Sequence, residues 1–427
     1  MKRILIIICC FAVANLSFSQ NKIDELIKIS EVERIEKTLA SDEMQGRRTF
    51  SVGIDKAAAF IAGEFQKTGL QVLNGSSGYL QQFVMVKPKF ISATGIFDSS
   101  VIEQKNIIVF TTKPVIKINN QSNFEIVQVK ATDTFRAGAF IQGKKNLLVL
   151  VHPAHERIFN NLARYKPETF PTERTLIFVM TDKLPGNFSL EATHEFTEMK
   201  LANVVGIIPG KSRPQEYVIF SGHYDHLGIA KPNAAMDSIF NGANDDASGT
   251  TAVIALAEYF KKMNNNERTL VFVAFTAEES GGFGSQYFSQ QMDPAKVVAM
   301  FNIEMIGTHS KWGANSAFIT GYEKTDMGKI LEKNLQGSQF KFYPDPYPDQ
   351  QLFYRSDNAT LARLGVAAHT ISTSKMDVEK FYHTQDDEIE TLDMKNMTEI
   401  IKAIAISSTS IVTAKETPSR VDTSKLR

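Results

Sequence analysis

The second half of the chain is built from short, almost entirely apolar runs that alternate with longer amphipathic stretches. The runs predicted as strands cover residues 204–208, 217–220, 269–275, 297–303, 317–319 and 366–371. The stretches with helical spacing of apolar residues cover 248–262, 284–290, 324–337 and 394–413. Strands that are apolar along both faces are typical of a parallel sheet covered by helices on each side. The sequence therefore predicts an α/β fold with a mostly parallel central sheet and helices on both faces.

The first half of the chain gives weaker signals. Residues 21–40 and 55–69 have helical spacing, residues 44–48 suggest a turn, and 79–85 suggest an edge strand. Further on, strand-like runs at 107–110, 147–151 and 176–180 are separated by polar or proline-bearing connections. We therefore predict an inserted α+β subdomain of unknown role at 91–200, between a first part of the main domain at 20–90 and its core at 201–427.

The amino terminus has the pattern of a secretory signal. Lys2 and Arg3 precede an apolar run at 4–14, and small residues then lead to a plausible cleavage site before Gln20. The run is too short to span a bilayer as a helix. A buried amino-terminal strand is the alternative. The pattern predicts a signal peptide at 1–19, a secreted or periplasmic protein, and no membrane anchor.

Cysteine content and charge narrow the possible functions. Both cysteines, Cys9 and Cys10, lie inside the predicted signal peptide, so the mature protein would have neither disulfides nor thiolate ligands. A metal ion would then have to use His, Asp and Glu. Lys plus Arg and Asp plus Glu each number 47, so no basic excess points to nucleic acid.

Five polar segments carry the candidate chemistry, and most of them come directly after a predicted strand. They are His-Tyr-Asp at 223–225, Asn-Gly-Ala-Asn-Asp-Asp-Ala-Ser-Gly at 241–249, Thr-Ala-Glu-Glu-Ser-Gly-Gly at 276–282, Asn-Ile-Glu-Met-Ile-Gly at 302–307 and Tyr-His-Thr-Gln-Asp-Asp at 382–387. Alone, each has an ordinary explanation, such as an exposed Glu pair at a helix start or an Asp capping a helix. In α/β sheets, however, the carboxyl ends of the strands gather the functional groups. Clustered carboxylates repel unless a cation joins them, and this donor set suits two zinc ions with open positions.

These segments resemble those of the co-catalytic zinc exopeptidases of the aminopeptidase S and bacterial leucyl aminopeptidase type, which are related to glutamate carboxypeptidase II. The resemblance covers roughly residue 203 to the end of the chain, together with the helix at 55–69. It implies a zinc aminopeptidase-like α/β/α sandwich with 201–427 as the peptidase core. It also implies a secreted di-zinc metallopeptidase that removes N-terminal residues from peptides with a free N-terminus.

Carried over by motif position, the resemblance implies five metal ligands. His223 and Glu304 would hold one zinc ion, Glu279 and His383 would hold the other, and Asp245 would bridge the two. The family most often has Asp at the position of Glu304. The extra methylene lengthens the side chain without changing its oxygen chemistry, so Glu304 is retained as a ligand that could alter metal preference.

The same resemblance implies three catalytic or orienting roles. Glu278 would be the general base for a metal-bridging hydroxide, and Asp225 would orient His223. Tyr382 would donate a hydrogen bond to the developing oxyanion. His226 is expected to be a loop residue or to lie behind the ligands. Asp357 belongs to a segment that departs from the family pattern, and it receives no ligand role.

Other functions on this fold remain open. A glutaminyl-peptide cyclotransferase uses a similar pocket with one zinc ion, although such enzymes usually have Trp where this chain has Tyr382, and the only tryptophan here is Trp312. A carboxypeptidase or dipeptidase would use the same metal ligands. A non-catalytic binding domain would have lost ligands, and zinc content distinguishes that case. Side-chain specificity and oligomeric state are not encoded in any motif.

Overall fold

The computed structural model describes residues 22–73, 75–165 and 168–426. The predicted signal peptide lies outside these residues. The chain divides into two compact units, of which the second is Phe83–Lys200 and the first comprises the residues on either side of it. Within the described ranges, no helix has both the length and the apolar character needed to cross a membrane.

Sixteen strands can be assigned along the described residues. They are β1 (Leu80–Phe97), β2 (Ser100–Ile102), β3 (Ile107–Phe110), β4 (Val115–Asn119), β5 (Glu125–Val129), β6 (Leu147–Val151), β7 (Leu176–Met180), β8 (Phe188–Ile208), β9 (Arg213–His223), β10 (Gly228–Ile229), β11 (Ile239–Phe240), β12 (Arg268–Phe275), β13 (Val297–Ile303), β14 (Ser316–Ile319), β15 (Lys341–Pro344) and β16 (Ala367–Ser372).

Ten α-helices of the described residues are labelled in chain order. They are α1 (Ile29–Leu39), α2 (Val52–Thr68), α3 (Ala137–Ile141), α4 (Glu156–Arg164), α5 (Ser248–Met263), α6 (Phe283–Gln291), α7 (Met327–Asn334), α8 (Asn358–Ala362), α9 (Met394–Ser407) and α10 (Thr409–Val412).

The central sheet of the first unit is mixed. Its strands run in the order β15-β14-β16-β13-β9-β12-β8. The four strands at its centre, β16, β13, β9 and β12, are mutually parallel, whereas β8 pairs antiparallel with β12 and β14 pairs antiparallel with β16. The prediction of a mostly parallel sheet is therefore confirmed for the centre only. The apolar composition of a buried strand does not report its direction, so the sequence could not show the reversal at the edges.

Helices cover both faces of this sheet, as predicted. On one face, α1, α2, α5 and α9 bury a large core that includes Phe220 and Phe272. On the other face, α6 and α8 pack over a smaller core that includes Ile219 and Val271. Successive strand residues point to opposite faces, so adjacent residues of β9 and β12 enter different cores. This explains why the strands are apolar at every position.

The carboxyl ends of the central strands lie at one edge of the sheet. His223 at the end of β9 is paired with Phe275 at the end of β12, and Ser221 is paired with Asn302 of β13. The loops that follow these strands must therefore leave the sheet next to one another. This register brings together the polar segments that are separated in the sequence.

The second unit has two hydrophobic cores of its own. A four-stranded sheet in the order β3-β7-β6-β5 buries one core together with residues of β1, β4 and β8, and a second core with α4. The three strands predicted in this region are confirmed as β3, β6 and β7. The strand predicted at 79–85 is wrong in extent, because β1 continues to Phe97. Its residues alternate between buried and exposed, and such alternation gives a weaker signal than a continuous apolar run.

Candidate metal centre

The candidate centre is built on the loops that leave the carboxyl edge of the first unit's sheet. His223 is the last residue of β9, and Glu278 and Glu279 lie on the turn that follows β12. Glu304 directly follows β13, and Asp245 precedes α5. The three segments that follow β9, β12 and β13 are thus brought to one place by the strand register.

Asp245 is the geometric centre of the cluster. Its Oδ1 lies 3.2 Å from Nε2 of His223, and its Oδ2 lies 3.2 Å from Nε2 of His383. The same Nε2 of His383 lies 3.1 Å from Oε1 of Glu279. One carboxylate therefore presents one oxygen to each of two imidazoles that come from distant parts of the chain.

The side chains that could hold a metal ion form two overlapping groups that share Asp245, here called the metal-binding groups. The first contains His223, Asp245 and Glu304, and the second contains His226, Asp245 and Glu279. Within each group, the candidate ligand atoms all lie within 4.8 Å of one another. His383 contacts two members of the second group, as described above.

His226 lies closer to the centre than sequence reasoning placed it. Its Nδ1 is 3.1 Å from Oε1 of Glu279, and its side chain is fully buried. Its Nε2 is buried without a hydrogen-bond partner among the described residues. The sequence did contain a signal, since His226 stands in the same strand-end loop as His223. Five other candidates had already supplied enough ligands without it.

Asp225 holds the turn that carries the glutamate pair. Its Oδ1 accepts a hydrogen bond from the backbone N–H of Glu278 at 2.9 Å, and its Oδ2 accepts one from Glu279 at 3.2 Å. Nδ1 of His223 lies 3.1 Å from the backbone carbonyl of Asp225 but 3.7 Å from its carboxylate. The acceptor nearest to His223 is therefore the carbonyl of Asp225 rather than the predicted carboxylate.

Two further aspartates, given no role from the sequence, fix the loop of Asp245. Asp246 accepts hydrogen bonds from the backbone N–H groups of His223, Gly249 and Met305 at 3.0–3.1 Å. Asp387 accepts the N–H groups of Asn244 at 2.8 Å and of Asp245 at 3.0 Å. Both carboxylates are buried, so each joins segments that would otherwise carry unpaired backbone donors. Adjacent Asp residues in a motif do not reveal which of them faces the backbone.

Gly249 is required by the close packing under this loop. A Cβ atom at this position would lie 2.1 Å from the backbone oxygen of Ile303 and 2.4 Å from Oδ2 of Asp246. Any side chain would therefore push α5 away from β13 and disturb the aspartate that joins them.

The pKa values of the buried carboxyl groups are strongly shifted. Burial raises the pKa of Glu304 to about 7, that of Asp225 to about 6 and that of Asp357 to about 6. Glu279 behaves in the opposite way: burial opposes its ionisation, but hydrogen bonds to His226 and His383 lower its pKa to about 2. Clusters whose carboxyl groups have widely separated pKa values are common at functional sites.

The side chains that are present suit zinc. Oε2 of Glu304 and Nε2 of His226 are buried without hydrogen-bond partners among the described residues, and both belong to the metal-binding groups. Imidazole nitrogens and carboxylate oxygens, without thiolates, are the ligands of catalytic zinc sites. A divalent cation would also remove the repulsion among the buried carboxylates.

A cavity of about 60 Å³ opens beside these groups. Its polar lining includes Glu278, Glu279 and Glu304, and its apolar lining includes Met305 and Phe318. The ring of Tyr382 also lines the cavity and stacks on that of His383, with centroids 3.9 Å apart. The cavity therefore combines carboxylates at one side with apolar walls at another.

We expect the metal-free protein to become less stable as pH rises from about 4.5 to about 8. Glu304 and Asp225 have raised pKa values in the folded protein, so the folded state holds protons that the unfolded chain releases. The pKa of His383 is raised to about 10 by Asp245 and Glu279, so the stability it contributes is complete below its ordinary pKa and is lost towards pH 10. Thermal unfolding at several pH values, with chelator and with zinc, measures the effect. The increase in Tm caused by zinc should be larger at pH 8 than at pH 5, and an equal increase at both would contradict the expectation.

The fold is shared with solved structures of enzymes. An aminopeptidase from Aneurinibacillus sp. strain AM-1 superposes with a TM-score of 0.54 at 16% identity, over 91% of this chain and 95% of that one. A glutaminyl cyclase from Porphyromonas gingivalis superposes with a TM-score of 0.50 at 11% identity, over 91% of this chain and 99% of that one. These likenesses show that the chain shares the fold of both enzymes.

The sequence comparison gives a family match. Residues 203–407 match the sequence profile of peptidase family M28. A probable zinc metalloprotease from Pyricularia oryzae is 33% identical over 127 residues, which are 29% of this chain. The match covers 25% of that relative, so this chain spans about a quarter of the curated relative's length. The resemblance found in the five segments is thereby confirmed.

Proposed function

We propose that this protein is a zinc aminopeptidase that removes N-terminal residues from peptides. The observation that supports it best is the position of Asp245, whose two carboxylate oxygens face His223 and His383 separately. A carboxylate with this arrangement is suited to bridging two cations. The aminopeptidase from Aneurinibacillus has the same fold, but at 16% identity the fold alone does not carry its activity to this chain.

Two sets of residues that share Asp245 would each hold one zinc ion. His223, Glu304 and Asp245 would hold the first, whereas Asp245, Glu279 and His383 would hold the second. Bound zinc would supply Lewis-acid polarisation of the scissile carbonyl and would acidify a water molecule. His226 would keep the carboxylate of Glu279 in place through the contact at Oε1.

Glu278 is the proposed general base. It lines the cavity, and its backbone N–H is held by Asp225. Burial raises its pKa well above the ordinary value, which favours a carboxylate that takes up and holds a proton. In the proposed reaction, Glu278 takes the proton of the attacking water and delivers it to the amine that leaves. Tyr382 would donate a hydrogen bond to the developing oxyanion, since its ring lines the same cavity.

The cavity lining supports a substrate with a free amino terminus. Glu278, Glu279 and Glu304 place negative charge where a substrate ammonium group would be attracted. Acetylation would remove the positive charge of the substrate amine and with it this attraction. The apolar walls at Met305, Phe318 and Leu352 suit an uncharged apolar first side chain.

We also propose that the protein is exported after removal of residues 1–19. The proposal is supported by the basic start, the apolar run and the small residues before Gln20. Sequencing the amino terminus of the protein recovered from outside the cytoplasm should give Gln20 as the first residue. An uncleaved Met1 in that fraction would contradict the proposal.

Hydrolysis of a panel of amino-acid p-nitroanilides, with N-acetylated forms as controls, tests the proposed activity. We expect cleavage of the free-amine substrates, fastest with apolar side chains, and little or no cleavage of the acetylated forms. Cleavage of only the acetylated forms would contradict aminopeptidase action. Conversion of an N-terminal glutamine peptide to its pyroglutamyl form, without hydrolysis, would favour a cyclotransferase. Bound metal without any turnover would favour a binding domain.

A further inference from the structure

Residues 46–49, here called the strap, lie in the first unit and outside the region that matches the M28 family. The sequence indicated only a turn at this point. Gly46 has φ 63°, and a Cβ atom there would lie 2.5 Å from the backbone oxygen of Phe240 and 2.6 Å from that of Gly228. The strap is therefore packed directly against the paired strands β10 and β11.

Arg47 is fully buried, and its guanidinium group is bonded to backbone carbonyls. Nε donates to Tyr224 at 2.8 Å, and Nη2 donates to Gly242 at 2.9 Å. Nη1 donates to Leu39 and to Asn241, each at 2.6 Å. Arg47 thus joins the loop that contains His223 to the loop that leads into Asp245.

The rest of the strap contacts the same region. The backbone N–H of His226 donates to the carbonyl of Arg47 at 3.2 Å. Thr49 Oγ1 donates to Oδ2 of Asp225 at 3.3 Å, and Ser280 Oγ donates to Thr49 at 3.2 Å. Three of the five segments that carry the candidate metal ligands are therefore tied to four residues of the amino-terminal region.

Two physical effects follow from placing an arginine at this position. Its planar group has donors at fixed angles, so the carbonyls that accept them are held at a fixed separation. Its charge also acts on the buried carboxyl groups of Glu36, Asp387, Asp225 and Asp245.

We propose that Arg47, supported by Thr49, is a positioning residue of the metal centre, because it fixes the separation between the loop of His223 and the loop of Asp245. The proposal rests on the proposed function for its effect on turnover, but its effect on the two loops is independent of any substrate. Arg47 contacts no reacting group in this arrangement. It acts through the backbone that carries the ligands.

The chain contains a matched control in Arg268, which is also fully buried. Its guanidinium donates to Glu216 at 2.6 Å and to the backbone oxygens of Ile411 and Glu416 at 2.7 Å. Arg268 begins β12, at the end of the strand remote from the candidate centre. Arg47→Lys and Arg268→Lys therefore make equivalent chemical changes at two buried sites, of which only one touches the metal loops.

The first measurement is zinc affinity by competition with a chelator, made on the full chain. We expect Arg47→Lys to bind zinc about 10–100-fold more weakly, as is usual when a group that supports metal ligands is lost. Its kcat for a free-amine p-nitroanilide should fall by a similar factor, with KM changed by less than about threefold. Arg268→Lys should lower Tm while it keeps the zinc affinity of the unchanged protein. Equal zinc affinity in all three proteins would overturn the proposal.

The second measurement is hydrogen–deuterium exchange of the metal-free proteins, which needs neither zinc nor substrate. Arg47→Lys should speed exchange in residues 222–228 and 241–247 by about tenfold or more, whereas Arg268→Lys should leave these segments unchanged. Thr49→Val, which keeps the side-chain shape, should give a smaller increase near residues 225 and 280. This variant tests the strap if Arg47→Lys does not fold. Unchanged exchange in both strap variants would overturn the proposal, whereas absence of zinc binding with changed exchange would overturn only the proposed function.

Discussion

Replacing Glu278 with glutamine is expected to lower kcat by about 10²–10⁴-fold while the protein keeps its zinc. This range is what a positioned general base contributes. Glutamine has nearly the same shape but cannot accept the proton. The backbone N–H of Glu278 would still be held by Asp225, so the turn should keep its structure. Zinc content by elemental analysis and turnover of a free-amine p-nitroanilide are the two measurements.

The neighbouring Glu279 provides the matched comparison. Its Oε1 contacts both His226 and His383, so Glu279→Gln removes a charged donor from the second group. We expect this variant to lose about one equivalent of zinc, whereas Glu278→Gln should retain both. A Glu278→Gln protein with unchanged kcat would remove Glu278 from the role of base. Loss of metal in that variant would instead make Glu278 a ligand.

Replacing Asp245 with asparagine is expected to have the second large effect, through loss of metal. Asparagine is neutral and has one side-chain oxygen, so it cannot place an oxygen near both His223 and His383 as the carboxylate does. We expect zinc content to fall from two equivalents to one or none. Turnover should fall by at least about 10³-fold, since metal ions supply several kcal/mol of stabilisation and each 1.36 kcal/mol is about tenfold in rate.

Asp387→Asn is the control for this experiment. Asp387 is also buried beside the same loop, but it accepts the backbone N–H groups of Asn244 and Asp245 and contributes no atom to either metal-binding group. It should weaken zinc binding without changing the stoichiometry at saturating zinc. An Asp245→Asn protein that binds two zinc ions with the affinity of the unchanged protein would show that Asp245 does not bridge.

Most of the candidate ligands could be predicted because their residue types and order are local properties of the chain. His223, Glu279 and Glu304 each lie directly at or after an apolar strand, so strand prediction alone places them at one edge of the sheet. The ligand roles of all five residues were reached only through the resemblance, and His383 and Asp245 have no strand immediately before them. Their roles remain predictions, while residues 203–407 match the M28 family.

The supporting residues could not be predicted in the same way. Asp246, Asp387 and His226 resemble other polar residues of their segments, and only the direction of each side chain distinguishes backbone support from a place in a metal-binding group. Direction depends on loop conformation, which depends in turn on contacts between segments far apart in the chain. The antiparallel strands at the edges of the sheet were not predicted either, because the tertiary structure decides which strands pair.

The sequence by itself determined the class of fold, the polar segments at the strand ends and the absence of cysteine ligands from the region after residue 19. Each of these properties depends only on residue types and on their spacing over short stretches of the chain. The tertiary structure alone decided that Asp245 faces two histidines and that Asp225 supports the glutamate turn. It also decided that the guanidinium of Arg47 binds four carbonyls from three segments. Each of these facts is a distance between atoms brought together by the sheet register and helix packing, and no spacing along the chain encodes it.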